Sequence, residues 1–218
     1  MFVPASDKHF QQFGLYQKNV YDLAKKHVQN FRTAIDIGAH VGYFSIYMAE
    51  DFRTVYAFEP VMANVHCWCK NLAGAKNITL FPCAVGSSNT PLYMKQPETI
   101  NSGSWEVANT GPIAVEQRRI DDFQFRDIDY IKVDIQGYEF EAVLGMINAI
   151  CLWHPIIQLE LSTRLSIQRV GGLMSKLGYA PVEQQKDDVI WKFVNEYSKQ
   201  YILQIIEGDN NHVGTIDV

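Results

Sequence analysis

The sequence has no run of basic residues longer than a pair, no apolar run long enough to span a bilayer, no disulfide-like cysteine spacing and no internal repeat. Each absence excludes something. Binding a nucleic-acid duplex takes a clustered basic face. Here 24 acidic residues outnumber 19 basic ones, for a net charge of −5, so a nucleic-acid partner is not expected. The longest apolar stretch, Ala142 to Trp153, is interrupted by Asn148 and falls short of the roughly 20 residues of a transmembrane helix. The opening MFVPASDKHF has neither the basic start nor the apolar core of a secretory signal. A cytoplasmic protein with no membrane partner is expected. The four cysteines, Cys67, Cys69, Cys83 and Cys151, read as buried structural thiols, kept reduced inside a cell. In HCWC at 66–69 only His66 and Cys69 share a helix face, too few ligands for a metal site. No metal is expected.

What is present is ordinary for a globular chain: 47% hydrophobic and 20% charged residues over 218 positions, enough for one domain, 1–218. Apolar positions at Phe10, Phe13, Tyr16, Val20, Tyr21, Leu23, Ala24 and Val28 predict an amphipathic helix from about Asp7 to Val28, the core of a helical lead-in over 1–30. Short apolar runs then alternate with helical patterns. Strands are predicted at Ala34–Ile37, Val55–Phe58, Ile78–Cys83, Tyr130–Val133 and Ile156–Leu161. Helices are predicted at Tyr43–Glu50, Ala63–Ala73, Glu139–Ile150 and Ile167–Leu177. Such alternation implies βαβ units and a doubly wound, Rossmann-like α/β fold with a mostly parallel sheet. Past Gly178 there is no room for a crossover helix. Tyr179–Gln184 and Val189–Val194, around the polar turn Gln185–Asp188, therefore read as a C-terminal antiparallel hairpin. Residues 86–119 break the pattern with Gly, Ser, Asn, Thr and Pro. They read as an irregular insertion over the C-terminal edge of the sheet, strand-like only at Leu92–Lys95 and Ile113–Glu116. The tail, 195–218, carries no signal.

The chemistry concentrates at strand ends. In AIDIGAHVGYFS, at 34–45, a strand ending at Asp36 enters a turn bracketed by Gly38 and Gly42 and then a helix. That turn lies where open α/β sheets bind ligands, and the helix start offers unpaired N–H groups to an anionic group, a pyrophosphate or a carboxylate. A dinucleotide fingerprint needs glycine at position 40, where this chain has His40. Glu59, about 20 residues on at the end of the second strand, is placed to accept hydrogen bonds from ribose hydroxyls. Turn and acid together point to an adenosine-containing ligand. Asp134 closes the strand expected beside the first, so Asp134 and Asp36 are expected to face each other.

DIGAHVGYFS, VYAFEP, IDDF and IDYIKVDIQGYEFEAVLGM, in that order, resemble the FkbM-type methyltransferases, a branch of the class I fold dependent on S-adenosylmethionine (SAM). The resemblance spans roughly residues 32–180, and NSGSW at 101–105 is similar to a segment of that family's insertion. His40 and Gln136 stand where the family often has Asn and Glu. The resemblance implies SAM as cofactor, with contacts at Asp36, Gly38, Ala39, Gly42, Glu59, Pro60, Met62, Ala84 and Asp134, and commonly a hydroxyl oxygen as acceptor. Cys83 and Val85 beside Ala84, and Asn64 beside Met62, belong to the same implied pocket. Methyl transfer to oxygen is an in-line displacement that needs positioning and a proton acceptor. The catalytic candidates are Asp134, Glu139 and His40. The acceptor side is expected at Ser102, Trp105, Tyr138 and Glu160.

O-methylation of a small molecule or glycan hydroxyl is the leading expectation. The alternatives are a dinucleotide-dependent oxidoreductase, a non-catalytic SAM-binding module and a nucleic-acid methyltransferase, for which Lys132 and the Arg118–Arg119 pair speak. Sequence does not fix an oligomeric state.

Overall fold

A computed structural model describes residues 1–4, 13–96 and 102–194. In chain order, α1 (Phe13–Lys25), β1 (Thr33–Ile37), α2 (Tyr43–Asp51), β2 (Thr54–Phe58), α3 (Met62–Asn71) and β3 (Ile78–Phe81) form the first half. The inserted segment carries β4 (Ala84–Val85), β5 (Leu92–Lys95), β6 (Glu106–Ala108), β7 (Ile113–Val115) and β8 (Gln117–Arg118). Then follow β9 (Ile128–Val133), α4 (Glu139–Leu144), α5 (Ile147–Trp153), β10 (Ile156–Glu160), α6 (Arg164–Lys176), β11 (Tyr179–Gln185) and β12 (Asp188–Phe193). Seven strands form one sheet in the order β11-β12-β10-β9-β1-β2-β3. The pairings from β10 to β3 are parallel, whereas β12 runs antiparallel to β10 and to β11. This is the doubly wound, mostly parallel sheet with a terminal antiparallel hairpin that the alternation predicts. Residues 7–12 of the expected first helix and the whole tail, 195–218, lie outside the described residues.

Strands covered on both faces read as continuous apolar runs, and all five residues of β1 are buried. Behind the sheet, Tyr56, Phe58, Phe81, Phe123 and Phe125 form one aromatic stack, with Tyr56 and Phe125 at 3.9 Å between ring centroids. Edge strand β11 carries Pro181 and a register irregularity between Pro181 and Glu183, both of which discourage pairing with a further chain.

Two expectations need correction. The helix predicted over Glu139–Ile150 is two helices, α4 and α5, broken around Gly145, where a Cβ would fall on the backbone carbonyl oxygen of Gly86. Asp121 caps the second of them from afar, accepting from the N–H groups of Asn148 and Ala149 at 3.1 and 2.9 Å. The insertion, expected to be irregular apart from Leu92–Lys95 and Ile113–Glu116, forms those two strands as β5 and β7 and adds β6, giving a three-stranded antiparallel sheet, β6-β5-β7. Its ends are stitched together by the parallel pair β4-β8, Ala84 opposite Gln117 and Val85 opposite Arg118. Met94 and Val115, with Leu92, Trp105 and Ile113, give it a small apolar core shared with Val61 and Ala84 of the main body. Residues 97–101, including Asn101 of NSGSW, lie outside the described residues.

Asn77 ties the end of α2 to the start of β3 by donating to the carbonyls of Ala49 and Phe52 at 2.9 and 2.8 Å. Asn77→Ala leaves both carbonyls without that donor, so a loss of about 1–3 kcal/mol is expected, read as a lower midpoint in thermal denaturation.

Candidate active site

The C-terminal ends of β1, β2, β9 and β10 border a cavity of about 320 Å³, roofed by Met94, Ser102, Trp105 and Val107 of the insertion and flanked by Gln17 and Val20 of α1. The glycine turn forms one wall. Gly38 has φ 81°, and a Cβ there would fall on the carbonyl oxygen of Asp134, so the turn and the end of β9 touch backbone to backbone. Four N–H groups of the turn bond within the fold. Gly38 and Ala39 both donate to the Phe58 carbonyl at 3.0 Å, His40 N–H donates to Glu59 Oε2 at 2.9 Å, and Gly42 N–H to Ala39 O at 2.8 Å. No pyrophosphate can take these donors without breaking the turn.

Glu59, 5% exposed, accepts from Val61 N–H and Asn64 Nδ2 through Oε1 as well as from His40 through Oε2. Burial outweighs these donors and pushes its carboxyl up to about 7. The same group holds the insertion. Asn64 Nδ2 also donates to Ser102 O at 3.1 Å, and His40 Nε2 lies 2.6 Å from Ser102 Oγ.

Asp36, wholly buried, accepts from Ser45 Oγ at 2.6 Å, and Ser45 Oγ in turn accepts from Trp68 Nε1 at 2.9 Å. Its other oxygen lies 3.9 Å from the Lys132 ammonium. Lys132 sits opposite Asp36 in the β1-β9 register and is 3% exposed. Its Nζ is 3.1 Å from Asp134 Oδ2, donates to Gly38 O at 3.3 Å and lies 4.8 Å from the Phe44 ring centroid. Gln136 continues the chain, donating to Asp134 Oδ1 at 3.2 Å and Glu160 Oε2 at 3.0 Å. Burial works against every charge here, but the carboxylates of Asp134 and Asp36 more than offset it for Lys132, which is held protonated. Burial likewise opposes ionisation of Asp134, yet Lys132 and hydrogen bonds from Glu160 and Gln136 hold its carboxyl below the usual range. Glu160 is pushed the other way, by the Asp134 charge and then by burial.

Of the residues singled out from sequence, Gly38, Ala39, His40, Glu59, Pro60, Ala84, Ser102, Trp105, Asp134, Tyr138 and Glu160 line the cavity, as do Asn64, Cys83 and Val85. Four do not. Asp36 lies beneath it; Gly42, at φ 100°, packs against Leu72 and Trp68; Met62 is 53% exposed on the start of α3. Glu139, 2% exposed, accepts from the N–H groups of Gly137 and Ile135, so its carboxylate braces the loop rather than facing the cavity. The basic residues cited for nucleic acid are engaged within the chain. Lys132 is inside the site, Arg118 pairs with Glu116 at 2.9 Å, and Arg119 lies 3.7 Å from Asp121. The cysteines are not uniformly buried: Cys83 is, Cys67 and Cys151 are half-buried, and Cys69 is exposed.

Sequence reading missed Lys132, Gln136, Asp188 and Gln17 as lining residues. Lys132 had a signal, a lysine within the apolar strand IKV next to the site acid, where a charge is tolerated only when paired. Asp188, Gln17 and the exposed Gln136 carry no such mark. Among the described residues no group of three or more His, Cys, Asp or Glu is placed to hold a metal ion, and no helix is long and apolar enough to cross a membrane.

A parallel sheet closed by an antiparallel hairpin, with its cavity over the carboxyl ends of the strands, is the fold of the class I methyltransferases. The methyltransferase FkbM domain matches residues 36–198, and the chain belongs to that family of SAM-dependent methyltransferases. No curated protein matches it. Among solved structures it is similar to a methyltransferase FkbM from Methylobacillus flagellatus KT, with 18% identity and a TM-score of 0.51, covering 76% of this chain. The chain spans 45% of that relative's length. An rRNA methylase from Streptococcus thermophilus has 9% identity and a TM-score of 0.53 over 85% of this chain and 99% of its own. A ribosomal protein L11 methylase from Lactobacillus delbrueckii subsp. bulgaricus has 10% identity and a TM-score of 0.53 over 83% and 79%. At these identities the likeness is one of fold.

The lining residues suit a ligand that is cationic and carries a ribose. Four carboxyl groups, Glu59, Asp134, Glu160 and Asp188, stand against the single ammonium of Lys132. Beside Glu59, Asn64 Oδ1 is a buried acceptor without a hydrogen-bond partner.

Two outcomes follow for the protein without ligand. Lys132→Ala leaves Asp36 and Asp134 buried without their cation. It should cost about 3–5 kcal/mol near neutral pH, and less in acid, where both carboxyls take up protons, as followed by urea denaturation at two pH values. The folded chain holds the Glu59 proton more tightly than the unfolded one. Its contribution to stability therefore declines as pH rises from about 4.5 to about 7, and Glu59→Gln should flatten part of that decline in a thermal-denaturation series.

Proposed function

We propose that this chain binds SAM in the acid-lined cavity and transfers its methyl group to a hydroxyl oxygen of a small molecule or glycan. The observation that carries the reading is the pairing of Glu59 and Asp134 on strand ends either side of β1, with Lys132 buried between the two aspartates. When bound, SAM supplies a methyl group on a cationic sulfur that leaves as a neutral thioether. The chain's own residues divide the remaining work. Glu59 and Asn64 accept from the ribose hydroxyls, and Cys83, Ala84 and Val85 give the adenine an apolar wall. Asp134, kept ionised and aimed by Lys132 and Gln136, faces the cationic end. Trp105 and Tyr138 bracket the acceptor side, and the carboxyl pair Asp134–Glu160 takes the acceptor's proton. Three support functions belong to residues first considered for chemistry: His40 anchors Ser102 of the roof, Glu139 braces the loop before α4, and Asp36 holds Lys132 from below.

A dinucleotide is disfavoured on two counts: the N–H groups of Gly38, Ala39 and His40 are spent on Phe58 and Glu59, and His40 stands where the dinucleotide fingerprint needs glycine. An RNA acceptor has the fold of the rRNA methylase to support it, and nothing in the charge of the cavity.

S-adenosylhomocysteine should raise the thermal midpoint and NAD should not; stabilisation by NAD alone sinks this reading. Glu59→Ala should weaken S-adenosylhomocysteine binding about 10-fold by calorimetry, the loss of hydrogen bonds from the ribose hydroxyls. Labelled SAM offered with extracts of glycans and hydroxylated metabolites tests the acceptor class. Label found only in RNA or protein would overturn it.

A further inference from the structure

The Asp134–Glu160 pair supports a sharper statement, which rests on the donor reading above. We propose that Glu160 is the group that takes the acceptor's proton, and that it is ionised only when a cation occupies the cavity. At rest the pair holds one proton, and it releases that proton to solvent when the sulfonium form of the donor binds.

The geometry is that of two carboxyl groups forced together. Strands β9 and β10 run parallel with Val133 opposite Leu159, so Asp134 and Glu160 emerge side by side at the cavity edge. The Gln136 amide nitrogen spans them, 3.2 Å from one and 3.0 Å from the other. Adjacent carboxylates do not both ionise unless positive charge compensates them. Lys132 compensates one, and it lies on the Asp134 side, shared with Asp36 of β1. The proton therefore rests on Glu160. The other titratable groups around the cavity add no second cation to the pair. Asp188 of β12 raises Glu160 further, Tyr138 and Glu139 flank the loop, and Glu59 and His40 stand on the far wall at the β2 end and the glycine turn.

A positive charge within about 4–6 Å lowers an acid's pKa by about 1–3, enough to move a proton off a group poised above neutrality. On entry of the cation the Glu160 O–H bond breaks and the proton goes to solvent. During transfer the acceptor oxygen bonds to the methyl carbon, the carbon–sulfur bond breaks with its electron pair staying on sulfur, and the acceptor's proton passes to Glu160. The pair again holds one proton, beside a neutral thioether. The base is thus armed by the donor's charge and disarmed by its loss.

SAM and S-adenosylhomocysteine differ by that charge and one methyl group. Titration calorimetry at pH 7.5 in phosphate and in Tris, whose ionisation enthalpies differ, counts the protons released. SAM should release about one more proton than S-adenosylhomocysteine. Glu160→Gln should abolish the difference while holding S-adenosylhomocysteine affinity within a few-fold. Equal proton counts for the two ligands in the wild-type protein overturn the proposal, whether or not the variant folds, and so does a difference that survives in Glu160→Gln. Failure of both ligands to bind the folded protein overturns the donor reading itself, a different result from equal counts.

Discussion

The site depends on one buried ammonium. Lys132 touches β1 through Asp36, the glycine turn through the Gly38 carbonyl, and the end of its own strand through Asp134. A lone lysine in that position would cost far more than the fold has to spare, and its two carboxylate partners would be equally costly without it. The three are tolerable only together, so the polar centre of the sheet edge forms as a unit. Its reach is long: Trp68 on α3 and Ser45 on α2 hold Asp36, and Gln136 and Glu160 extend from Asp134. Five elements and two loops are thereby referred to one charge.

That arrangement explains the electrostatic character of the cavity. An acidic wall would repel itself if every carboxyl group were ionised. Burial leaves Glu59 readily protonated, and the Asp134 charge together with burial does the same for Glu160, while Lys132 keeps Asp134 charged. Of the pair Asp134–Glu160, one acid carries the charge and the other carries a proton. Separating acids by environment is how one fold supplies both an anion to hold a ligand and a group to move a proton.

The fold was legible wherever residue type and position agreed. The runs AIDI, VYAF and YIKV are buried on both faces, and short apolar runs bounded by turns declare that plainly. Glu59 and Asp134 were legible because a strand end is a fixed place in this topology. Met62 was misread for want of the helix phase: Val61 and Asn64 turn inward, and Met62 turns out. The split between α4 and α5 was invisible because its cause, the approach of Gly86 to Gly145, joins residues almost sixty positions apart. The insertion escaped for a related reason. Its three strands have three or four residues each, and their apolar faces become meaningful only against Val61 and Ala84. Residue types do not say which N–H groups of the glycine turn are free, and only the hydrogen-bond partners reveal that those of Gly38, Ala39, His40 and Gly42 bond within the fold.

The two-residue strap β4-β8 brings the ends of the insertion together before the chain re-enters the main sheet. Everything between Val85 and Gln117 is therefore a closed excursion whose length and sequence the sheet does not register. One wall of the cavity belongs to the sheet and its roof belongs to the excursion, joined through Ser102, Ser87, Asn89 and a few apolar contacts. A protein built this way can exchange its roof as a cassette, reshaping the cavity while leaving untouched the charge-balanced edge beneath it.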